Sequence, residues 1–232
     1  MTNQNIRPVG VEVPPSIETS PKRQVFEGEY VALFPLNAER DVHDLFEGSN
    51  GTEEKERLWT YLGYGPFADA SEMQPWLAQQ EKSTDPLFFS VLDKRMNRRV
   101  GMVSFLNIVP PMRRLELGHI WYSPSAQRTQ VNTEAIYLML CHSFDQLKYR
   151  RVEWKCDSLN QRSREAAQRL GFQFEGIFKQ HMIVKGRNRD TAWYAMMDSN
   201  WQAIKQNMRV WLYENEAGQI SLKTLNWRAS SY

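Results

Sequence analysis

The chain has 232 residues, of which 41% are hydrophobic and 12% aromatic, with 29 basic against 27 acidic side chains for a formal net charge of +2. That suits one domain with extensions and a real core, and the charge is too balanced for bulk attraction to nucleic acid or an acidic membrane. Two cysteines, Cys141 and Cys156, exclude a disulfide framework, no Cys/His cluster has zinc spacing, and the longest apolar run falls far short of a ~18-residue span. The N-terminus carries no apolar signal-peptide core. The expectation is a reduced, soluble, cytoplasmic protein without metal, nucleic-acid or membrane partners.

Residues 1–27 are polar, hold Pro8, Pro14, Pro15 and Pro21, and read as an arm that wraps the domain or a neighbouring subunit, so that a homodimer is open. Tyr30 to Leu36 is a strand with Pro35 at its end. A short helix follows from Asn37 or Ala38 to Phe46. Thr52 caps a second, Glu53 to Leu62, with acids in its first turn. The aromatic turn Tyr61 to Phe67 leads to a third helix, Glu72 to Lys82, capped by Ser71 and tolerant of Pro75 in its first turn. Three strands then form a meander: Pro86 to Leu92, Arg99 to Val109 and Arg114 to Tyr122. In the last of these, alternation assigns Leu115, Leu117, His119 and Trp121 to one face and Glu116, Gly118, Ile120 and Tyr122 to the other.

A polar loop, Ser125 to Thr133, opens a long, mostly apolar helix from about Val131 to Leu147. The first turn of a helix has backbone N–H groups without intrahelical partners and carries partial positive charge, so this loop is a candidate phosphate cradle or an ordinary capped helix start. Arg151 to Asp157 is a strand. Asn160 or Ser163 opens a helix to Leu170, stopped by Gly171. Phe172 to Lys185 and Asp190 to Met197 are strands around a turn at Gly186, and Asp198 starts a helix. The division is an arm (1–27), one domain (28–213) and a C-terminal extension (214–232) that adds a short strand or a second arm. Helical crossovers beside a meander imply a mixed α+β fold with helices on both faces of the sheet.

Over residues 28 to 213 the chain resembles the GNAT acetyltransferases, and within them the RimJ/RimL branch of ribosomal-protein N-terminal acetyltransferases. The resemblance rests on Leu115-Glu-Leu-Gly-His-Ile-Trp-Tyr-Ser-Pro124, Gln127-Arg-Thr-Gln-Val-Asn-Thr-Glu-Ala135, Arg151-Val-Glu-Trp-Lys-Cys-Asp-Ser-Leu-Asn160, Ser163, Arg169-Leu-Gly-Phe172 and Phe174-Glu-Gly176. It implies the GNAT fold: a mostly antiparallel central sheet of about seven strands, with one parallel pair splayed apart. It implies acetyl transfer from acetyl-CoA, as co-substrate, to a primary amine of a protein, peptide, amino-acid-like molecule or polyamine, by direct attack in a ternary complex.

The resemblance assigns the CoA diphosphate to Gln127, Arg128, Thr129, Gln130, Val131, Asn132 and Thr133. Gln130 and Asn132 stand where the family's loop has glycines. It assigns pantetheine contacts to the backbone of Tyr122 and Ser123 and to Asn160, and stabilisation of the leaving thiolate to Ser163. Asn and Ser are equally good helix caps. The tyrosine that many relatives use as an acid is replaced by Ala167, and the acceptor-side glutamate by Met182. Glu116, on a strand beside Gly118, is a candidate general base or a structural ion-pair partner. A weak base suffices for an α-amine, ~15% neutral near pH 7, and is poor for a lysine-like amine, under ~0.1% neutral. Trp59, Tyr61, Tyr64, Phe67 and Trp76 line an acceptor pocket or form core beneath a loop. His119, His142 and His181 read as structural or surface residues. The alternative function is a non-catalytic GNAT-fold protein for acyl-CoA binding or assembly.

Overall fold

The computed structural model describes residues 8–15, 17, 19–214 and 220–229. In chain order the strands are β1 (Phe26–Glu27), β2 (Val31–Pro35), β3 (Leu87–Asp93), β4 (Arg98–Val109), β5 (Arg114–Tyr122), β6 (Arg151–Asp157), β7 (Gln173–Val184) and β8 (Arg187–Met197). They form one sheet in the spatial order β1-β2-β3-β4-β5-β6-β8-β7. Every neighbouring pair is antiparallel except β5 and β6. The helices are α1 (Ala38–Ser49), α2 (Glu53–Glu56), α3 (Ala70–Lys82), α4 (Gln130–Cys141), α5 (Gln161–Arg169), α6 (Asp198–Arg209) and α7 (Leu222–Ala229). The expected mixed fold is present.

Several elements differ from expectation for local reasons. Phe26 and Glu27, expected in the arm, pair with Leu33 and Ala32, because the Phe26 ring is buried against Phe89 and Phe105. The second helix ends after Glu56 and tightens into a 3-10 turn, Arg57–Trp59. That turn brings Trp59 inward, where its indole N–H donates to the Ser49 carbonyl. The cap of α3 is Asp69, whose carboxylate accepts from the Glu72 N–H and the Ser71 hydroxyl. The central helix widens to π-helical geometry over His142–Gln146. The stretch read as a strand or arm near the C-terminus instead forms α7, with Leu222 buried. Residues 1–7, 16, 18, 215–219 and 230–232 of the arm and extension lie outside the described residues.

Two cores flank the sheet. The larger lies under α4 and α6 and takes Leu33, Phe89, Phe105, Leu115, Leu117, Val152, Trp154 and Tyr194 from the strands. The smaller lies under α1 and α3 and takes Phe88, Met102 and Trp121, with Trp59 at its centre. Helix α4 is fixed to the sheet by Glu134, which is fully buried. Its carboxylate accepts from the backbone N–H groups of Glu29, Tyr30 and Val31 and from the Tyr213 hydroxyl. Gly28 permits this approach: a Cβ there would stand 2.4 Å from the carboxylate carbon. Among the described residues, no helix is long and apolar enough to cross a membrane.

Candidate functional site

Strands β5 and β6 pair only at their beginnings, Arg114 with Arg151 through Leu117 with Trp154. Beyond that point β5 runs on to Tyr122 and β6 to Asp157 without pairing each other, so the sheet opens into a wedge. The opening coincides with a bulge in β5. Two residues, His119 and Ile120, lie between the partners of Met102 and Ser104, and His119 has φ +50°. The bulge shifts the alternation by one. Leu115 and Leu117 enter the larger core together with Tyr122, whereas Trp121 enters the smaller. The expected grouping of Trp121 with Leu117, and of Tyr122 with Glu116, is therefore corrected.

The loop after β5 leads to the start of α4. Thr129 is the cap: its hydroxyl accepts from the Val131 N–H at 3.2 Å and donates to the Ala126 carbonyl. Gln130, Val131, Asn132 and Thr133 form the first turn, where backbone donors are surplus to the helix. The left-handed conformation in this loop belongs to Arg128, with φ +60°. Gln130 and Asn132 are helical, so the latitude of glycine is not needed where the sequence lacks it. Gln127 does not point outward. Its amide donates to the Tyr122 carbonyl at 2.9 Å, while the Ser123 N–H donates to the Val100 carbonyl at 2.7 Å. These two groups, expected to face pantetheine, are engaged within the chain. Arg169 adds a cation behind the turn, both terminal nitrogens donating to the Thr133 hydroxyl.

Across the wedge, Asn160 caps α5 by accepting the Ser163 N–H at 3.2 Å. The Ser163 hydroxyl accepts from the Trp154 indole N–H at 2.9 Å and lies within hydrogen-bonding reach of the Cys156 thiol. Ala167 is fully buried in the larger core. Cys156 is buried, its thiol pushed up by desolvation, and Cys141 is half-buried, its thiol pushed up to about 11 by the same cause; both are free.

Glu116 lies on the face of β5 opposite the larger core. It is 5% exposed, and its Oε2 accepts from Asn107 Nδ2 at 2.7 Å and Lys155 Nζ at 2.8 Å. Its other oxygen lies toward Gly118, where even a Cβ would remain 3.7 Å away. The parallel register sets Glu116 directly beside Glu153, itself buried. Like charges facing each other across strands repel, and cations resolve the conflict here. Lys155 Nζ lies 3.2 Å from Glu153 Oε2, and Arg151 Nε donates to Glu153 Oε1 at 2.8 Å. Lys155 also stands 3.8 Å above the Trp193 ring, a cation–π contact. Neither Lys155 nor Asn107 was apparent as a site residue. The signal for Lys155 was its parity with Glu153 on a strand parallel to that of Glu116.

Of the aromatic turn, Trp59 is core and Tyr64, Phe67 and Trp76 are partly buried against it. Trp59 is 1% exposed and contacts Tyr64, Phe67 and Trp121, and Trp76 packs on Tyr64 and Phe67. His119 stacks on Tyr64 with Nδ1 3.1 Å from its hydroxyl, and burial pushes its pKa down to about 4. The turn is tied across the wedge: the Tyr61 hydroxyl donates to the Leu159 carbonyl, and Lys185 donates to the carbonyls of Trp59 and Gly65. His181 is engaged by the Thr191 hydroxyl. No group of three or more metal-ligating side chains occurs among the described residues.

Comparison with known proteins gives a consistent result. The family model described as an acetyltransferase (GNAT) domain matches residues 31–173. A GCN5-related N-acetyltransferase from Brucella melitensis is 45% identical, with a TM-score of 0.85 over 89% of this chain and 95% of that one. A GNAT-family protein from Chromobacterium violaceum ATCC 12472 is 37% identical, with a TM-score of 0.76 over 85% and 100%. YdaF of Bacillus subtilis (strain 168), named as a ribosomal N-acetyltransferase, is 27% identical over 105 residues, which span 45% of this chain and 57% of YdaF.

Proposed function

The chain belongs to the GNAT acetyltransferase family, and we propose that it transfers acetyl from acetyl-CoA to a primary amine in the wedge between β5 and β6. The observation that carries this reading is the juxtaposition at one opening. The first turn of α4 follows the loop at the end of β5, α5 with Ser163 follows the end of β6, and a buried carboxylate, Glu116, lies one residue before the last β5–β6 pair.

In this reading the first turn of α4, Gln130 to Thr133, and Arg128 hold the CoA diphosphate through backbone donors and positive charge. Thr129 and Gln127 shape that loop from within, the first as the cap and the second through the Tyr122 carbonyl. Ser123 fixes the end of β5 to β4. Asn160 orients Ser163 by capping α5. The neutral acceptor amine attacks the thioester carbonyl directly; the new N–C bond forms as the C–S bond breaks. Glu116 takes the proton that the amine loses, directly or through one water, and the Ser163 hydroxyl hydrogen-bonds the departing sulfur. A carboxylate suits an amine that is already partly neutral. We therefore favour an α-amine of a peptide or protein, a reading that similarity to YdaF supports. The setting that accompanies this reading is the cytoplasm.

The test is calorimetric titration with acetyl-CoA together with DTNB detection of free CoA over a panel of peptides, free amino acids and polyamines. Binding with amine-dependent CoA release is the expected result. Binding without release from any amine would favour a non-catalytic acyl-CoA-binding protein, and no binding at all would remove both.

A further inference from the structure

The charges around Glu116 form a closed set. Glu116, Glu153 and Glu175 supply three carboxylates, and Arg114, Arg151 and Lys155 supply three cations. Arg151 is divided between Glu153 and Glu175, and Arg114 lies 3.7 Å from Glu153. Lys155 alone in this set contacts Glu116, and it bridges to Glu153. It is the first residue of β6 past the last parallel pair, Leu117 with Trp154, and so sits at the apex of the wedge. Its side chain is 12% exposed, and those of Glu116 and Glu153 are 7% and 6% exposed. The aromatic face of Trp193 closes the box from β8.

Two adjacent buried carboxylates and an indole face would make a receptor for an ammonium ion. In this chain the receptor is filled by the protein's own ammonium. A second cation entering beside Lys155 would find both carboxylates already ion-paired, Glu153 Oε2 by charge contact without a hydrogen bond, and would meet like-charge repulsion in a poorly solvated place. A neutral amine meets no such barrier.

Resting on the acetyltransferase reading above, we propose that Lys155 is a specificity-determining residue: it occupies the Glu116–Glu153 pair and thereby rejects acceptors that arrive as cations. Polyamines and lysine side chains are the excluded class, and slightly basic α-amines are the admitted one. The residue acts through charge and position, without contact to the thioester.

The test compares kcat/KM for an alanyl peptide amide and for spermidine in the wild type, Lys155→Met and Lys155→Arg. The wild type is expected to favour the peptide. Lys155→Met, which removes the resident cation and leaves three carboxylates facing two arginines, is expected to raise the spermidine-to-peptide ratio about tenfold, while Lys155→Arg keeps the wild-type ratio. A change in fold alone would lower both substrates together and leave the ratio fixed. Lys155→Gln, closer in polarity, replaces Lys155→Met if the latter melts early. A wild type that uses spermidine as readily as the peptide, or a ratio within about twofold of wild type in the neutral variant, overturns the inference and leaves the acetyltransferase reading standing. A wild type that binds acetyl-CoA yet acetylates neither amine overturns both.

Discussion

The two faces of the β5–β6 pair carry the same backbone register and opposite chemistry. Under α4, Leu115, Leu117, Val152 and Trp154 are buried against one another and against Tyr194. On the other face, Glu116, Glu153 and Lys155 are almost as buried, yet each is charged. The apolar face gains from simple removal of surface from water. The charged face has a desolvation cost that paired charges offset only when every partner is in place, so it contributes little to stability. In the reading proposed above, that charge serves the apex of the wedge: one face holds the strands together, and the other carries the charged groups at the point where they separate.

This contrast can be broken from either side. The largest effect is expected on the apolar face: Leu115→Ala, at a site with no exposure, should cost about 2–5 kcal/mol, read as a fall in denaturant midpoint. Substantial loss of turnover at temperatures where that variant remains folded would show that the faces are not separable. The next effect comes from His119, whose pKa is held at about 4 against an ordinary 6.5 by burial. The unfolded chain takes up this proton at higher pH than the native protein does. Stability is therefore full above about pH 6.5 and falls as the pH drops toward 4, by up to about 3 kcal/mol. Thermal melts across that range should show the slope, and His119→Gln should reduce it, with buried His142 supplying a remainder of the same sign; an unchanged slope in that variant would remove His119 as a source.

On the charged face, Glu116→Gln should lower turnover about 100-fold, or about 2.7 kcal/mol of barrier, while acetyl-CoA affinity stays within about twofold. Equal losses in turnover and CoA affinity would instead mark Glu116 as part of the scaffold. The smallest effect is expected from Ser163→Ala, about tenfold in turnover with a modest stability loss, because the buried Trp154 indole loses its acceptor. Normal turnover there would return Ser163 to the role of packing partner.

The sequence was most legible where a single residue type answers a local need. The strands of the meander, the cap at Thr52, the helix stop at Gly171 and the start of α4 all follow from alternation, capping and turn chemistry. It was least legible where a long-range contact overrides a local preference. Trp59 ends the second helix early because the indole has a buried place against Trp121 and a carbonyl to bond. Phe26 draws its short segment into the sheet for a similar reason. The bulge at His119 is marked only by Gly118 before it, a signal that alternation alone does not read, and it moves Trp121 and Tyr122 to faces that alternation does not assign.

The amino-acid sequence by itself determined the class of fold and the strand–loop–helix at Arg114 to Cys141, because periodicity, capping and charge act within a few residues of chain; the residues offered to a CoA-like ligand came from the family resemblance. Only the tertiary structure decided what those residues face. It set Glu116 beside Glu153 through the register of two strands some 35 residues apart, and brought Lys155 between them. It also put the left-handed turn at Arg128 and left Gln130 and Asn132 helical, so neither needs the backbone conformation that favours glycine. Register and bulge position depend on the packing of the whole sheet.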